Sequence, residues 1–318
     1  MSRPLMFIDS ADGAGIMFHH FHDGNFPQGQ GTISAEQFAD LIDFVGRKRI
    51  LDPSEWQARA LEGGLTQGDL CLTFDDGLAC QTSIALPVLE AYDIRAFWFI
   101  YTSPLEGTVQ RLELYRYYRD VAFETIDDFY AAFDRHLKAS DYWPEASEIM
   151  TDFRPENFLQ EFPFYTAGDR RFRFLRDVVL GPESYFELMD QMIGEEGYDS
   201  VSLSRSLFIQ ADTIRTLYAS GHSIGLHSHT HPTRLEELDA LGQEEEYRKN
   251  REQLEAITQE QITCMSHPCN SYNHITLALL NDLDVNIGFR SNSKILSNPT
   301  CYEYPREDHS NLIKEMSR

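Results

Sequence analysis

Residues 73–77 read Thr-Phe-Asp-Asp-Gly, and residues 227–231 read His-Ser-His-Thr-His. Asp75 and Asp76 are adjacent, so in an extended chain their side chains point apart. One can then hold a cation while its neighbour faces a water molecule. His227 and His231 are four apart, a spacing that puts them on one face of a helix or lets them converge in a loop. Carboxylates and imidazoles drawn from two chain segments form a mixed oxygen and nitrogen donor set. Such a set suits zinc or a similar borderline divalent ion, and three protein ligands leave positions open for water. Asp-Asp-Gly alone is ordinary turn chemistry; the histidine run is what makes a site of it. His229, between the two outer histidines, is expected to point away. In Phe18-His19-His20-Phe21-His22, alternation sends His20 and His22 to one side and His19 to the other.

These residues need strand ends to hold them. Leu70-Cys71-Leu72 precedes the carboxylates as a buried strand, and His222–Leu226 leads into the histidines after a helix over Thr213–Tyr218 capped at Gly221. Gly15–Phe18 reads as the first strand. Ser34 and Gln37 form a capping box, followed by Phe38, Leu41, Ile42 and Val45 at helical spacing. A helix near Ile84–Tyr92 and a buried strand over Ala96–Tyr101 come next. Glu244–Ile257 reads as a charged surface helix, and Ile262–Ser266 and Asn286–Phe289 as further strands. Strands alternating with helices imply a mostly parallel sheet, and sites at strand C-termini make a barrel its natural closure.

Residues 104–205 break that rhythm. They hold amphipathic stretches at Ile126–His136 and Ser184–Ile193, and a run of aromatics: Phe153, Phe158, Phe162, Phe164, Tyr165, Phe172 and Phe174. The expected organisation is a first barrel part over 1–103, a mainly helical insertion over 104–205 that acts as a lid or wall, and a second barrel part over 206–318.

The two motifs, in this order and with these flanks, resemble the polysaccharide deacetylase family (carbohydrate esterase 4, NodB homology). The resemblance implies a distorted (β/α) barrel. It implies Asp75 as general base, and Asp76, His227 and His231 as ligands of one divalent metal, most simply Zn2+. Met17-Phe18-His19 is similar to the family's early Met-Tyr-His strand, which brings His19 toward substrate. The chain departs from the pattern in two places. Ser266-His267-Pro268-Cys269 stands where the family has Arg-x-Pro-aromatic, so the Arg that positions the base is missing, as is the late Leu-x-His that supplies the acid. Arg306 is the late candidate for the Arg, with Arg290 behind it. His309 is the late candidate for the acid, with His267 and His19 as alternatives; His19 and His267 are also the expected substrate contacts.

Composition narrows the partners. The chain of 318 residues carries 51 acidic against 27 basic side chains, a net charge of −24. Such a balance disfavours nucleic acid polymers and anionic lipid. No stretch reaches the length of a membrane span, and the N-terminal MSRPLMFIDSADGAGIMF has no continuous apolar core of a signal peptide. Five cysteines without a CxxC pair read as free thiols, and a cytoplasmic location is expected. The function these readings point to is metal-dependent removal of an N-acetyl or related acyl group from an amino sugar. The substrate would be a nucleotide-linked or lipid-linked precursor in cell-surface polysaccharide or lipopolysaccharide biosynthesis. The alternatives are hydrolysis of a small non-sugar amide and non-catalytic, metal-dependent glycan recognition.

Overall fold

A computed structural model describes residues 12–159 and 166–317. The chain divides into two compact units, Met1–Thr108 with Leu207–Arg318, and Val109–Ser206. The first unit is the barrel. In chain order it contains β1 (Ala14–Phe18), α1 (Ala35–Val45), α2 (Pro53–Glu62), β2 (Leu70–Asp75), α3 (Leu86–Ala91) and β3 (Phe97–Ile100). Helices α4 (Arg111–Ala122), α5 (Ile126–Ala139), α6 (Trp143–Met150), α7 (Ala167–Phe174), α8 (Gly181–Glu195) and α9 (Ser200–Ser206) belong to the second unit. The barrel resumes with α10 (Ala211–Ala219), β4 (Ser223–Leu226), α11 (Ala240–Thr258), β5 (Cys264–Ser266), α12 (His274–Asp282), β6 (Ile287–Phe289), β7 (Arg306–Asp308) and α13 (His309–Met316).

Among the described residues seven strands lie in the order β6-β5-β4-β3-β2-β1-β7, and every neighbouring pair is parallel. The sheet nearly closes. The chain just before β7 pairs with β6 through Arg290 N–H to Tyr304 O and Tyr304 N–H to Gly288 O, each 2.9 Å. Alternation along the strands sorts the side chains into two faces. Cys71, Phe97, Phe99, Cys264, Ile287 and Phe289 form one buried cluster with Trp56 of α2. Phe18, Phe74 and Trp98 lie on the other parity, where Phe18 and Phe74 meet Phe38 of α1 at ring separations of 4.9 and 6.0 Å. Trp56 packs 5.0 Å from Phe289 and 4.8 Å from Tyr304, ring to ring, so a single side chain ties α2 to both sides of the seam.

The Ser34–Gln37 capping box is present, with Gln37 N–H donating to Ser34 Oγ. The helix expected from Ile84 begins with a π turn over Gln81–Ala85, whose Gln81 side chain donates to Asp75 O at 2.6 Å. The second unit starts five residues later than the expected insertion. Ser103–Glu106 is a turn bonded to the barrel, through Ser103 N–H to His229 O and Glu106 to Lys249. Within the second unit Leu114, Tyr118, Phe129, Phe133, Phe172 and Leu188 share one core. Phe153, Phe158 and Phe174 pack on one another, with Phe153 and Phe174 stacked at 4.4 Å. These aromatics therefore serve the unit's own packing; Phe162, Phe164 and Tyr165 lie outside the described residues. None of the five cysteines is in a disulfide. No helix among the described residues is long and apolar enough to cross a membrane.

Trp56→Ala empties the place between α2 and the seam. The expected loss of stability is about 3–5 kcal/mol, the range for truncating a buried Phe or Trp. Urea unfolding measures it; a loss under about 1 kcal/mol would mean that the seam does not depend on this ring.

Candidate active site

Asp75 is the last residue of β2, buried in the barrel with Arg306 of β7. Arg306 Nη1 and Nη2 donate to Asp75 Oδ1 and Oδ2, each at 2.6 Å, a two-pronged hold that fixes the carboxylate plane. The rest of the guanidinium is also spoken for. Nη1 reaches Thr73 Oγ1 at 3.0 Å, Nη2 reaches Ser266 Oγ at 2.6 Å, and Nε donates to Arg290 O at 2.7 Å. Gly15 of β1 makes room for this crossing: a Cβ there would sit 2.9 Å from Arg306 Cγ. Burial pushes the pKa of Asp75 up, but the charges of Arg306 and His227 and the hydrogen bonds from Arg306 outweigh it, leaving the group below the ordinary carboxylate value.

The chain turns sharply after Asp75. Asp76 has φ +77° and Gly77 φ +70°. The two carboxylates therefore part through a left-handed turn instead of through continued strand alternation. Asp76 Oδ1 lies 3.4 Å from both His227 Nε2 and His231 Nε2. Ligand atoms of these three side chains all lie within 4.8 Å of one another, forming the one such cluster among the described residues. Asp76 Oδ1 is buried and has no hydrogen-bond partner. A buried carboxylate oxygen left bare between two imidazole nitrogens is what a cation would satisfy, and the donor set fits a zinc-like ion. Burial would raise the pKa of Asp76, but the charges of His231, His227 and His19 hold it far below the carboxylate range.

His227 Nδ1 faces Ser266 O at 2.9 Å, which makes it the N–H donor and turns Nε2 toward Asp76. The two histidines answer differently to the same carboxylate. Burial lowers His227, but Asp75 and Asp76 raise it above its ordinary value. Burial takes His231 down to about 4, helped by the charge on His227.

The remaining expected residues fall in different places. His19, just past β1, is half-buried, with Nε2 4.0 Å from Asp75 Oδ2. Burial outweighs Asp76 and Asp75 and lowers its pKa. His229 points away, with Nδ1 3.0 Å from Thr102 Oγ1. His309 does not reach the carboxylates. Its ring nitrogens face Met17 O at 3.2 Å and Gly31 O at 3.0 Å, and the ring stacks on Phe18. The reason is parity: Arg306 turns into the barrel, whereas His309 opens α13 outside it. His267, the other expected substrate contact, also lies away from the carboxylates. It is fully buried, stacked 4.1 Å from Tyr272, with Nε2 2.9 Å from Tyr302 O, and burial takes its pKa to about 3. Ser266 has the inward position of β5, so His267 faces away. Arg290 stays behind Arg306, binding Glu303 O and Asn292 through its side chain. Sequence reasoning missed Ser266, Asn250 and Glu246. Their signal was spacing alone: Ser266 ends a strand in register with Phe289, and Glu246 and Asn250 are four apart on one helix.

Known proteins bear on this arrangement. The sequence profile described as polysaccharide deacetylase matches residues 63–124 and 186–288, just over half of the chain. The chain belongs to the polysaccharide deacetylase family. Deacetylation of a carbohydrate is the activity that this membership supports. No curated protein sequence matches. Among solved structures, the chain is similar to the Streptococcus pyogenes deacetylase PplD in complex with acetate, at 14% identity and TM-score 0.55 over 93% of this chain and 91% of that one. A de-N-acetylase from Aggregatibacter actinomycetemcomitans gives 13% identity and TM-score 0.54 over 92% and 93%. IcaB from Ammonifex degensii gives 14% identity and TM-score 0.53 over 92% and 90%. At these identities the likeness is one of fold, the polysaccharide deacetylase (β/α) barrel. The profile match stops short of β7, so Arg306 lies outside the stretch that identifies the family.

Arg306→Met leaves Asp75 buried and unpaired. At pH 7 this costs about 3–5 kcal/mol, the usual result of breaking a buried ion pair from one side. Asp75 has a lowered folded pKa in the parent, so its contribution is present above the ordinary carboxylate value and lost as pH falls through the folded one. In the variant burial acts without the Arg, and the carboxyl takes its proton at higher pH. The stability gap is therefore expected to narrow on acidification from pH 7 toward pH 4, as read by urea unfolding at each pH. A gap independent of pH would remove Asp75 as the partner that matters.

Proposed function

We propose that the chain is a metal-dependent deacylase that removes an N-acetyl or related acyl group from an amino sugar. The carrying observation is the bare, buried Asp76 Oδ1 between His227 and His231, next to a carboxylate that Arg306 holds rigidly. Asp76, His227 and His231 would hold a divalent ion, most simply Zn2+, which when bound polarises an acyl carbonyl and acidifies water. Asp75 is the base. Its low pKa keeps it ionised at neutral pH, and the Arg306 fork presents one fixed face of the carboxylate to water. The leaving amine needs a proton. With His309 turned away and His267 sealed in, His19 is the half-exposed imidazole 4.0 Å from Asp75; its pKa is lowered, so we assign it donation of the proton that Asp75 has taken from water. The proposed substrate is a nucleotide-linked or lipid-linked amino sugar in the cytoplasm, destined for cell-surface polysaccharide or lipopolysaccharide. Family membership supports the glycan; the precursor and its location rest on the sequence expectation. A non-catalytic, metal-binding glycan-recognition role is the second reading, favoured by the outward turn of His309.

Release of acetate from N-acetylated sugars by the metal-loaded protein decides between the readings. No release from any nucleotide-linked, lipid-linked or polymeric amino sugar, with metal bound, would leave the recognition role; release only from small non-sugar amides would leave the other hydrolase. Asp75→Asn is expected to keep its metal by elemental analysis and lose nearly all turnover, because Asn cannot take the proton. His227→Ala and His231→Ala should lose the metal. Retained turnover in the first, or parental metal content in the other two, would break the assignment.

His19→Gln separates the roles further. Turnover of an N-acetyl amide should fall about 10²–10⁴-fold, the usual worth of a positioned proton donor. Turnover of 4-nitrophenyl acetate, whose leaving group needs no proton, should change little. An equal loss on both would make His19 a substrate contact instead.

A further inference from the structure

The His-Ser-His-Thr-His loop leaves β4 with left-handed backbone at Ser228, φ +61°, and His231, φ +56°. Side-chain-bearing residues hold that conformation only when their surroundings fix it. The fixing comes from α11. One oxygen of Glu246 accepts the N–H of His229 at 2.9 Å and of Thr230 at 2.7 Å, and its other oxygen accepts the Thr230 hydroxyl at 2.6 Å. Asn250, one turn on and fully buried, accepts the N–H of His227 at 2.9 Å. Its amide donates to Ile100 O at 2.9 Å and Thr102 Oγ1 at 3.2 Å, which ties the loop to the end of β3. Thr102 Oγ1 lies in turn 3.0 Å from His229 Nδ1. Neither Glu246 nor Asn250 is among the metal-ligand cluster.

We propose that Glu246 and Asn250 are positioning residues: α11 sets the ring positions of His227 and His231 by holding the peptide groups between them. This rests on the reading that Asp76, His227 and His231 hold the ion. A bare structural tie between α11 and the barrel would use the same hydrogen bonds but would show in stability, not in metal affinity. Glu246 is half-exposed and is the residue to change.

The test is a Zn2+ titration of the full chain against a competing chelator, with metal-free melting followed by circular dichroism. Glu246→Ala is expected to bind Zn2+ about 10–100-fold more weakly, the usual effect of losing a partner behind the ligands. The measurement is made at a temperature where the metal-free variant is fully folded. Glu245→Ala, on the exposed side of α11, should bind as the parent does. If Glu246→Ala does not fold, Glu246→Gln, which keeps one acceptor but not the charge, decides in its place with a loss of several-fold. Parental Zn2+ affinity in the folded variant overturns the proposal while leaving the metal site standing. Failure of the parent to bind Zn2+ removes the metal site and the proposal together.

Discussion

A carboxylate sealed in a barrel interior has to be compensated, and here a single guanidinium does it. Asp75 and Arg306 are hydrogen-bonded together with Thr73 and Ser266, and the guanidinium carbon lies 5.7 Å from the centre of the Phe99 ring in the apolar filling. Every other feature of the site adjusts to that pair. Gly15 has no side chain because the Arg stem passes there. The Arg290 carbonyl is aimed at Nε by the β6–β7 seam. With Asp75 held in the plane of the fork, Asp76 can reach the histidines only by turning the backbone left-handed at once.

The family pattern places an Arg at the end of the fifth strand; in this chain the Arg arrives from β7. The two routes are equivalent physically because β5 and β7 both present inward positions to the same volume, and Ser266 vacates the first while Arg306 fills it. What matters to the carboxylate is a planar pair of donors at the right height. Which strand carries them is free to change if a small residue appears at the vacated place.

Much of this was legible locally. The Ser34 box, the apolar run before Asp75 and the strand before His227 follow from short-range pattern, and the structure has each within a few residues. The parts that were not legible depend on one-residue parity or on what a polar stripe touches. Ser266 and His267 are neighbours, and the sequence does not say which turns inward from a strand of three residues. His309 follows Arg306 by three and looked equally close to the site, but β7 ends between them and the ring goes outside. Helix α11 read as a charged surface helix because its content is acidic and basic. Its buried stripe includes Gln243 and Asn250, which serve backbone groups at Leu238, His227 and Ile100, a need that apolar periodicity cannot reveal.

The pairing of residue 75 with residue 306 spans 231 positions. During synthesis at roughly 5–20 residues per second, β2 therefore waits ten seconds or more for its partner to be made. Until then its buried acid has no counter-charge, and the edge of β1 that β7 will occupy is open. The barrel's first half is thus a sheet with a reason not to collapse early, and closure of the ring is tied to completion of its charge. Long-range closure of this kind is slow on the scale of local folding.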